Sequence, residues 1–392
     1  MERRFWLDGG GSQDWSGRRS ILGRLDDDDL SLTYDATRRE VVAHPTGDVV
    51  GDDPFVVLQD QLDGDPDTHW VGYFGYAARP DLPARSMPGV PDAVWMCSRD
   101  VRIVEEPGRA PNRLPERPPE HSTPTWYADA FAAVQEQLKS GNSYEVNLTC
   151  REHLDSDVDP DEVYRRLRAT NPAPYAGLLR HGDTWLLSAS PERFATIDRH
   201  RRVEARPIKG TTPRGATPEQ DEALRRSLAT DPRFRAENLM ITDLLRNDLS
   251  MVCEPGTVEV PHLMAVESYA SVHQLVTTVR GHLRDGIGTV EALRALFPAG
   301  SMTGAPKLRT MEIIDAVEET PRGIYAGAFG WISGDGRADL GVVIRSLFRS
   351  GAGPWTLGTG GGITVHSDVD TEWAETQWKA ERLRAALSAG CA

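Results

Sequence analysis

Lysine is scarce in this chain: Lys139, Lys209, Lys307 and Lys379 are its four lysines among 44 basic residues. Lys209 stands in R-P-I-K-G-T-T-P-R-G, residues 206–215, after Pro-Ile and before Gly-Thr. Arginine stays charged, whereas a buried lysine can lose its proton and act as nucleophile or base. The segment supports two readings, a solvated loop lysine or a reactive amine.

Several acids could accompany such an amine. Glu237 lies three positions before the apolar stripe of a helix that begins at Met240. Glu372 and Glu375 are three apart on a C-terminal helix and so share a face, with Lys379 four beyond Glu375. They read either as surface ion-pair residues or as magnesium ligands, since a hard cation takes one or two carboxylates plus waters and a substrate oxygen. Glu192, in S-A-S-P-E-R-F, closes a strand as an ion-pair residue or a general acid. Arg345 stands within G-V-V-I-R-S-L, an expected apolar strand, where a charge either faces water or holds an anion. His273, in S-V-H-Q-L-V, is a second polar residue among apolar ones, and a satisfied structural histidine is the commoner case.

Glycines cluster in residues 297–307 (F-P-A-G-S-M-T-G-A-P-K) and 358–363 (G-T-G-G-G-I). Backbone amides at such places are turns or cradles for carboxylate or phosphate. Neither stretch has the spacing of a dinucleotide fingerprint or a P-loop, which argues against nucleotide binding.

The elements that must position these residues alternate between helical and strand patterns. Helical spacing runs through residues 125–142, 236–250, 305–319 and 370–388. Strand patterns cover residues 144–154, a hairpin at 175–198 turning at 181–183, and two strands around Ser333-Gly334-Asp335-Gly336. Helices and hairpins without regular strand–helix alternation favour an α+β fold. A proline-rich, charged stretch at residues 105–124 reads as a linker between an N-terminal lobe, residues 1–104, and a core, residues 125–392. The acidic run at residues 26–29 reads as a solvated turn.

Composition narrows the class. The chain has 392 residues, 39% hydrophobic and 26% charged, as in ordinary globular proteins. A net charge of -15 with no basic patch argues against nucleic-acid binding. No apolar run is long enough for a membrane span, and M-E-R-R-F-W-L-D has no apolar signal-like region, so neither a span nor a secretory signal is expected. Four scattered cysteines fit a reducing compartment, so a cytoplasmic location is expected.

Taken in order, S-A-S-P-E-R-F, P-I-K-G-T, E-N-L-M-I-T-D-L-L-R-N-D, P-A-G-S-M-T-G-A-P-K, G-I-Y-A-G-A-F-G, the segment with Arg345, G-G-G-I and E-T-x-x-K-A resemble the chorismate-utilising enzymes. That family includes anthranilate and aminodeoxychorismate synthase components I and the isochorismate and salicylate synthases. The likeness covers residues 125–388 and implies a sandwich of two large, mainly antiparallel sheets flanked by helices, with the active site between them.

Within the family, P-I-K-G-T resembles the aminodeoxychorismate synthases, whereas anthranilate synthases usually carry alanine at the lysine. The resemblance implies that Lys209 attacks C2 of chorismate as the C4 hydroxyl leaves, after which ammonia adds at C4 and expels it. A nucleophilic amine must be neutral, so the Lys209 pKa is expected to fall. By the same resemblance Glu192 is the general acid, and Glu237 and Glu375 bind Mg2+ with Glu372 assisting. Tyr325, Arg345 and the amides at Gly360 and Gly361 hold substrate carboxylates. His273, Thr303 and Gly304 stand at the same site. Glu145, in S-Y-E-V-N-L, occupies the place of a water-activating lysine in isochorismate synthases and commonly of glutamine in aminating members, which argues against a hydroxylating enzyme. Relatives hold tryptophan through Leu-x-Ser and N-P-S-P-Y, but this chain has Leu7-Asp8-Gly9 and N-P-A-P-Y at residues 171–175, without the serine. No cysteine sits in a G-x-C-x-G elbow, so ammonia is expected free or from a separate glutamine amidotransferase subunit. The alternatives are anthranilate synthase component I and a non-catalytic paralogue.

Overall fold

The computed structural model describes residues 1–9, 19–105, 122–269 and 272–388. Cys391 and most of the expected linker, 106–121, lie outside the described residues. Two large sheets form the frame, one of nine strands and one of twelve, and every described strand pair is antiparallel. This is the α+β arrangement expected from the alternating patterns.

The first hundred residues build no sheet of their own. Arg3–Asp8 pairs with Tyr175–His181 in the nine-stranded sheet, and His69–Phe74 pairs with Ala328–Ser333 in the twelve-stranded one. A single apolar cluster joins Phe5, Leu179 and Leu186 of one sheet to Phe74, Trp95 and Phe329 of the other.

Inner strands of the nine-stranded sheet are covered on both faces, so that Thr184–Ser190 is buried at every position. In Thr184–Ser190, Leu186 joins the cluster between the sheets, while Trp185, Leu187 and Ala189 face the other way. There they meet Val163, Tyr164 and Leu167 of the helix Pro160–Thr170 and Ala380, Leu383 and Leu387 of the helix Val369–Leu387. A third cluster seats the helices Thr125–Lys139 and Lys307–Val317 against Val146, Leu148 and Ile363. The helices fall close to their sequence-derived bounds, and His181↔Thr184 closes the expected hairpin.

One expectation is corrected. Arg345 is not inside a strand. Ala338–Val342 ends in the twelve-stranded sheet and Ser346–Arg349 begins in the nine-stranded one. Arg345 lies in the crossover with φ of 52°, a conformation that lets the chain change sheets and that L-residues rarely adopt.

A buried polar network ties the end of the helix Lys307–Val317 to the strand Glu145–Leu154. Glu318 accepts from Arg322 at 2.7 Å and Arg151 at 2.9 Å, and from the Thr149 amide and hydroxyl. Arg322 in turn donates to the carbonyls of Met302 and Asn147. Removing the single carboxylate leaves two buried guanidiniums without a counter-charge. Glu318→Gln should therefore cost about 3–5 kcal/mol, read as a lowered midpoint in urea unfolding; an unchanged midpoint would show the network to be energetically idle.

Candidate active site

Lys209, Glu192 and Arg345 each lie where a regular strand is interrupted. Lys209 is on Ile208–Pro213, at a register shift against Val272–His282 where Ile208 pairs with Val276 and Thr211 with Gln274. The extra residue is a bulge, and Gly210 within it has φ of 96°. Glu192 follows Thr184–Ser190 at the crossing from the nine-stranded to the twelve-stranded sheet. Bulges and crossovers release side chains from the alternating pleat and aim all three into one cavity.

The strand Trp355–Ile363 forms one wall. Its pairing with Ser346–Arg349 stops at Leu357, so the edge from Gly358 to Gly362 opens on the cavity. The glycines are spatial necessities. A Cβ on Gly358 would lie 2.1 Å from Tyr325 Cγ, and one on Gly362 would lie 2.3 Å from Glu145 Oε1 and 3.1 Å from Lys209 Nζ.

Acids gather opposite. Glu192 is buried, and Ser301 Oγ donates to its Oε1 at 2.6 Å. Burial pushes the Glu192 carboxyl up to about 7, against the pull of that hydrogen bond and of Lys209. Glu237, from the helix Pro232–Ser250, is likewise raised to about 7 by burial, with Lys209 opposing and Glu145 and Glu372 adding to the rise. Glu372 is raised by burial and by Glu375, and takes a hydrogen bond from Ser367 at 2.8 Å. Glu375 is held below the usual carboxylate range by Lys379, 2.7 Å away.

The cations are disposed differently. Lys209 Nζ donates to Glu145 Oε1, and both side chains are buried. The Arg345 side chain has no hydrogen bond or ion pair among the described residues; it lies over Trp378, and burial together with Arg382 lowers its pKa to about 10. Lys379 also donates to the Gly360 carbonyl at 2.8 Å. The expected Glu375–Lys379 pair thus exists, but as part of the cavity wall.

Several expectations are corrected by this geometry. The Lys209 pKa does not fall. Burial pulls it down, but the carboxylates of Glu145, Glu237 and Glu192 raise it above the usual lysine value. His273 does not border the cavity. Its ring is 1% exposed, with Nε2 3.0 Å from Asp221 Oδ1 and Nδ1 2.8 Å from Ser268 Oγ. Successive strand residues point to opposite faces, and the neighbouring Gln274 borders the cavity instead. Thr303 and Gly304 also stand back. The short turn Gly300–Met302 brings Ser301 and Met302 to the cavity, after which Gly304 pairs with Val146 and Thr303 donates to the Ala299 carbonyl. Gln274, Ser301, Gly362 and Lys379 are among the cavity residues not expected from the sequence. Ser301, Gly362 and Lys379 lie inside the quoted motifs, but only the structure places them at the cavity.

Among the described residues, no three His, Cys, Asp or Glu side chains converge tightly enough to form a metal cluster by themselves. The available donors are carboxylate oxygens whose mutual repulsion and burial favour a compensating charge. They fit a hard divalent cation that keeps waters or takes a substrate oxygen.

Residues 105–385 match the chorismate binding enzyme family. The chain belongs to that family. It is 36% identical to aminodeoxychorismate synthase component 1 of Salmonella typhimurium, over 90% of this chain and 86% of that one. It is 46% identical to the aminodeoxychorismate synthase of Streptomyces griseus, over 74% of this chain, and spans 41% of that relative's length and 37% of its Streptomyces pristinaespiralis counterpart. A solved structure of anthranilate synthase component I from Streptococcus pneumoniae superposes with a TM-score of 0.78 at 24% identity, covering 95% of this chain and 93% of the other. The chorismate-binding fold expected from the motif order is therefore the observed one.

The raised Glu192 carboxyl has a consequence for stability. Its folded pKa of about 7 exceeds the ordinary 4.5, so the folded state binds the proton more tightly. Stability is then fully present below about pH 4.5 and is lost as pH rises through about 7, by roughly 3 kcal/mol in the limit. In the metal-free protein, Glu192→Gln should flatten the fall in Tm across that window; an identical pH dependence of Tm in both proteins would refute the assignment.

Proposed function

We propose that the protein is aminodeoxychorismate synthase component I, converting chorismate and ammonia to 4-amino-4-deoxychorismate for 4-aminobenzoate and folate synthesis. The observation that carries this reading is the position of Lys209, a buried amine in a cavity lined by Glu192 and by an unpaired arginine. Its likeness to proteins named aminodeoxychorismate synthase supports the same reading.

The chain's own residues supply the steps. Arg345 offers a planar fork to a substrate carboxylate, and the open edge at Gly360 and Gly361 offers backbone groups beside it. Lys209 forms a covalent bond to C2 of the ring as the C4 hydroxyl departs. Glu192, whose burial raises its carboxyl to about 7 and so keeps a substantial protonated fraction at neutral pH, gives the hydroxyl its proton so that it leaves as water. Ammonia adds at C4, the ring electrons return, and the C2–N bond breaks. Glu237, Glu375 and Glu372 would hold Mg2+. When bound, the cation would neutralise a substrate carboxylate next to this acidic wall. Ammonia would come from a separate glutamine amidotransferase subunit, in keeping with the component naming of the Salmonella relative. A cytoplasmic location suits this chemistry, and among the described residues no helix is long and apolar enough to cross a membrane.

A second reading is anthranilate synthase component I, favoured by a Haloarcula marismortui protein of that name that is 44% identical over 257 residues. Incubation with chorismate, Mg2+ and ammonium separates the two. The expected product is one that yields 4-aminobenzoate only when an aminodeoxychorismate lyase is added, and Lys209→Ala should lower turnover by roughly a thousandfold or more. Release of anthranilate would establish the second reading and remove the lysine's proposed role. Glu237→Gln should raise the Mg2+ concentration for half-maximal rate by at least about tenfold; an unaltered Mg2+ requirement would place the metal elsewhere.

A further inference from the structure

A lysine ammonium has no lone pair, and in the resting protein Lys209 is held in that form by the carboxylates around it. Among the described residues, Glu145 is the only side chain within hydrogen-bond contact of Lys209 Nζ. The Glu145 side chain is itself buried, and its second oxygen, Oε2, has no hydrogen-bond partner. Among the described residues, Lys209 is therefore the sole hydrogen-bond donor to this carboxylate. Glu145 is fully buried behind Lys209, which itself borders the cavity, and Gly362 and the Gly304–Val146 pairing pack against the pair.

We propose that Glu145 is the proton acceptor that converts Lys209 from an ammonium to a nucleophilic amine within the closed pair. The inference rests on the Lys209 reading given under Proposed function. A buried ion pair is well stabilised only when further hydrogen bonds satisfy both partners, and here one carboxylate oxygen has none. Moving the proton from Nζ to Oε1 leaves a neutral amine beside a neutral acid without changing the net charge of the cavity. The amine lone pair then forms the bond to C2, the ring electrons shift, and the C4–O bond breaks with the Glu192 proton leaving in water. The nitrogen is now a secondary ammonium. When ammonia adds at C4, the electrons of the C2–N bond return to Nζ and the lysine departs as a neutral amine. The proton on Glu145 returns to it, and the new C4 ammonium gives its excess proton to Glu192. Atoms and charge balance as chorismate plus ammonia giving product plus water.

The test uses the full chain and two readouts. With chorismate and Mg2+ but no ammonium, intact-protein mass spectrometry follows a species heavier by chorismate less one water, located on Lys209 by peptide mapping. Steady-state turnover with ammonium is measured alongside. Glu145→Gln, which keeps the shape but accepts no proton, should slow both adduct formation and kcat by about 100-fold. KM for chorismate should hold, and the deficit relative to wild type should narrow as pH is raised, because hydroxide can take the proton that the substituted amide cannot. Glu145→Asp keeps a carboxylate and should retain more activity than the glutamine variant. Adduct formation at the wild-type rate in folded Glu145→Gln would overturn the inference, as would a loss confined to KM or equal losses in the Gln and Asp variants at every pH. Failure of the Lys209 reading looks different: wild type forms no adduct and Lys209→Ala still turns over.

Discussion

Two opposite charges buried in contact, Lys209 against Glu145, set the terms for much of the molecule around them. Taking each ion out of water costs several kcal/mol, and their attraction offsets this only if geometry is held fixed. The fixing is visible on both sides. Gly304 lets its chain pass so close to Glu145 that a Cβ would lie 1.9 Å from the Glu145 carbonyl oxygen. Gly362 leaves the space that the carboxylate and the ammonium occupy. Ser143 donates to the Glu145 carbonyl and lies 2.7 Å from the Thr310 hydroxyl, tying the start of Glu145–Leu154 to the neighbouring helix. Within the glycine-rich stretches at residues 297–307 and 358–363, Gly304 and Gly362 are thus explained by close packing around this pair.

The frame that holds the pair is very regular, and the chemistry occupies its irregularities. A strand in register must send alternate side chains to opposite faces. Within two sheets that pack on each other, that rule fills the interior with apolar groups and leaves no place for convergent charges. The bulge at Lys209, the crossing at Glu192 and the φ of 52° at Arg345 are the points at which the rule is broken. The antiparallel frame provides rigidity, and the breaks provide convergence. Glu237, Glu372 and Glu375 come instead from helices, which bring carboxylates to the same cavity from outside the sheets.

This division accounts for what can be read in the sequence. Helix positions, the hairpin and the α+β class follow from local periodicity, and the order of short motifs points to the chorismate-utilising fold. Lys209, Glu192, Glu237, Tyr325, Arg345 and the two helical glutamates do border one cavity. The failures share a cause. Placing His273 at the site instead of Gln274 is a one-residue error, and in a strand one residue is the difference between the cavity and the opposite face. Thr303 and Gly304 belong to the right motif, but the short turn Gly300–Met302 shifts the exposure to Ser301 and Met302. The Lys209 pKa depends on Glu145, 64 positions away in sequence. Its contact with the lysine arises only when the two strands are assembled.

The cavity carries unsatisfied charge of both signs. Arg345 has no anionic partner among the described residues, while Glu192 and Glu237 are forced toward their protonated forms by burial. Such an arrangement is costly in the free protein and cannot be selected for stability alone. A ligand that brings two carboxylates and a leaving hydroxyl answers these costs separately: an anion for the arginine, an acceptor for the Glu192 proton, and, with a cation, a counter-charge for the acidic wall. Binding such a ligand relieves contacts that folding leaves unfavourable, so affinity and reactivity draw on the same source. Proteins hold polar groups in this state where function requires it, and here the requirement is concentrated around one lysine.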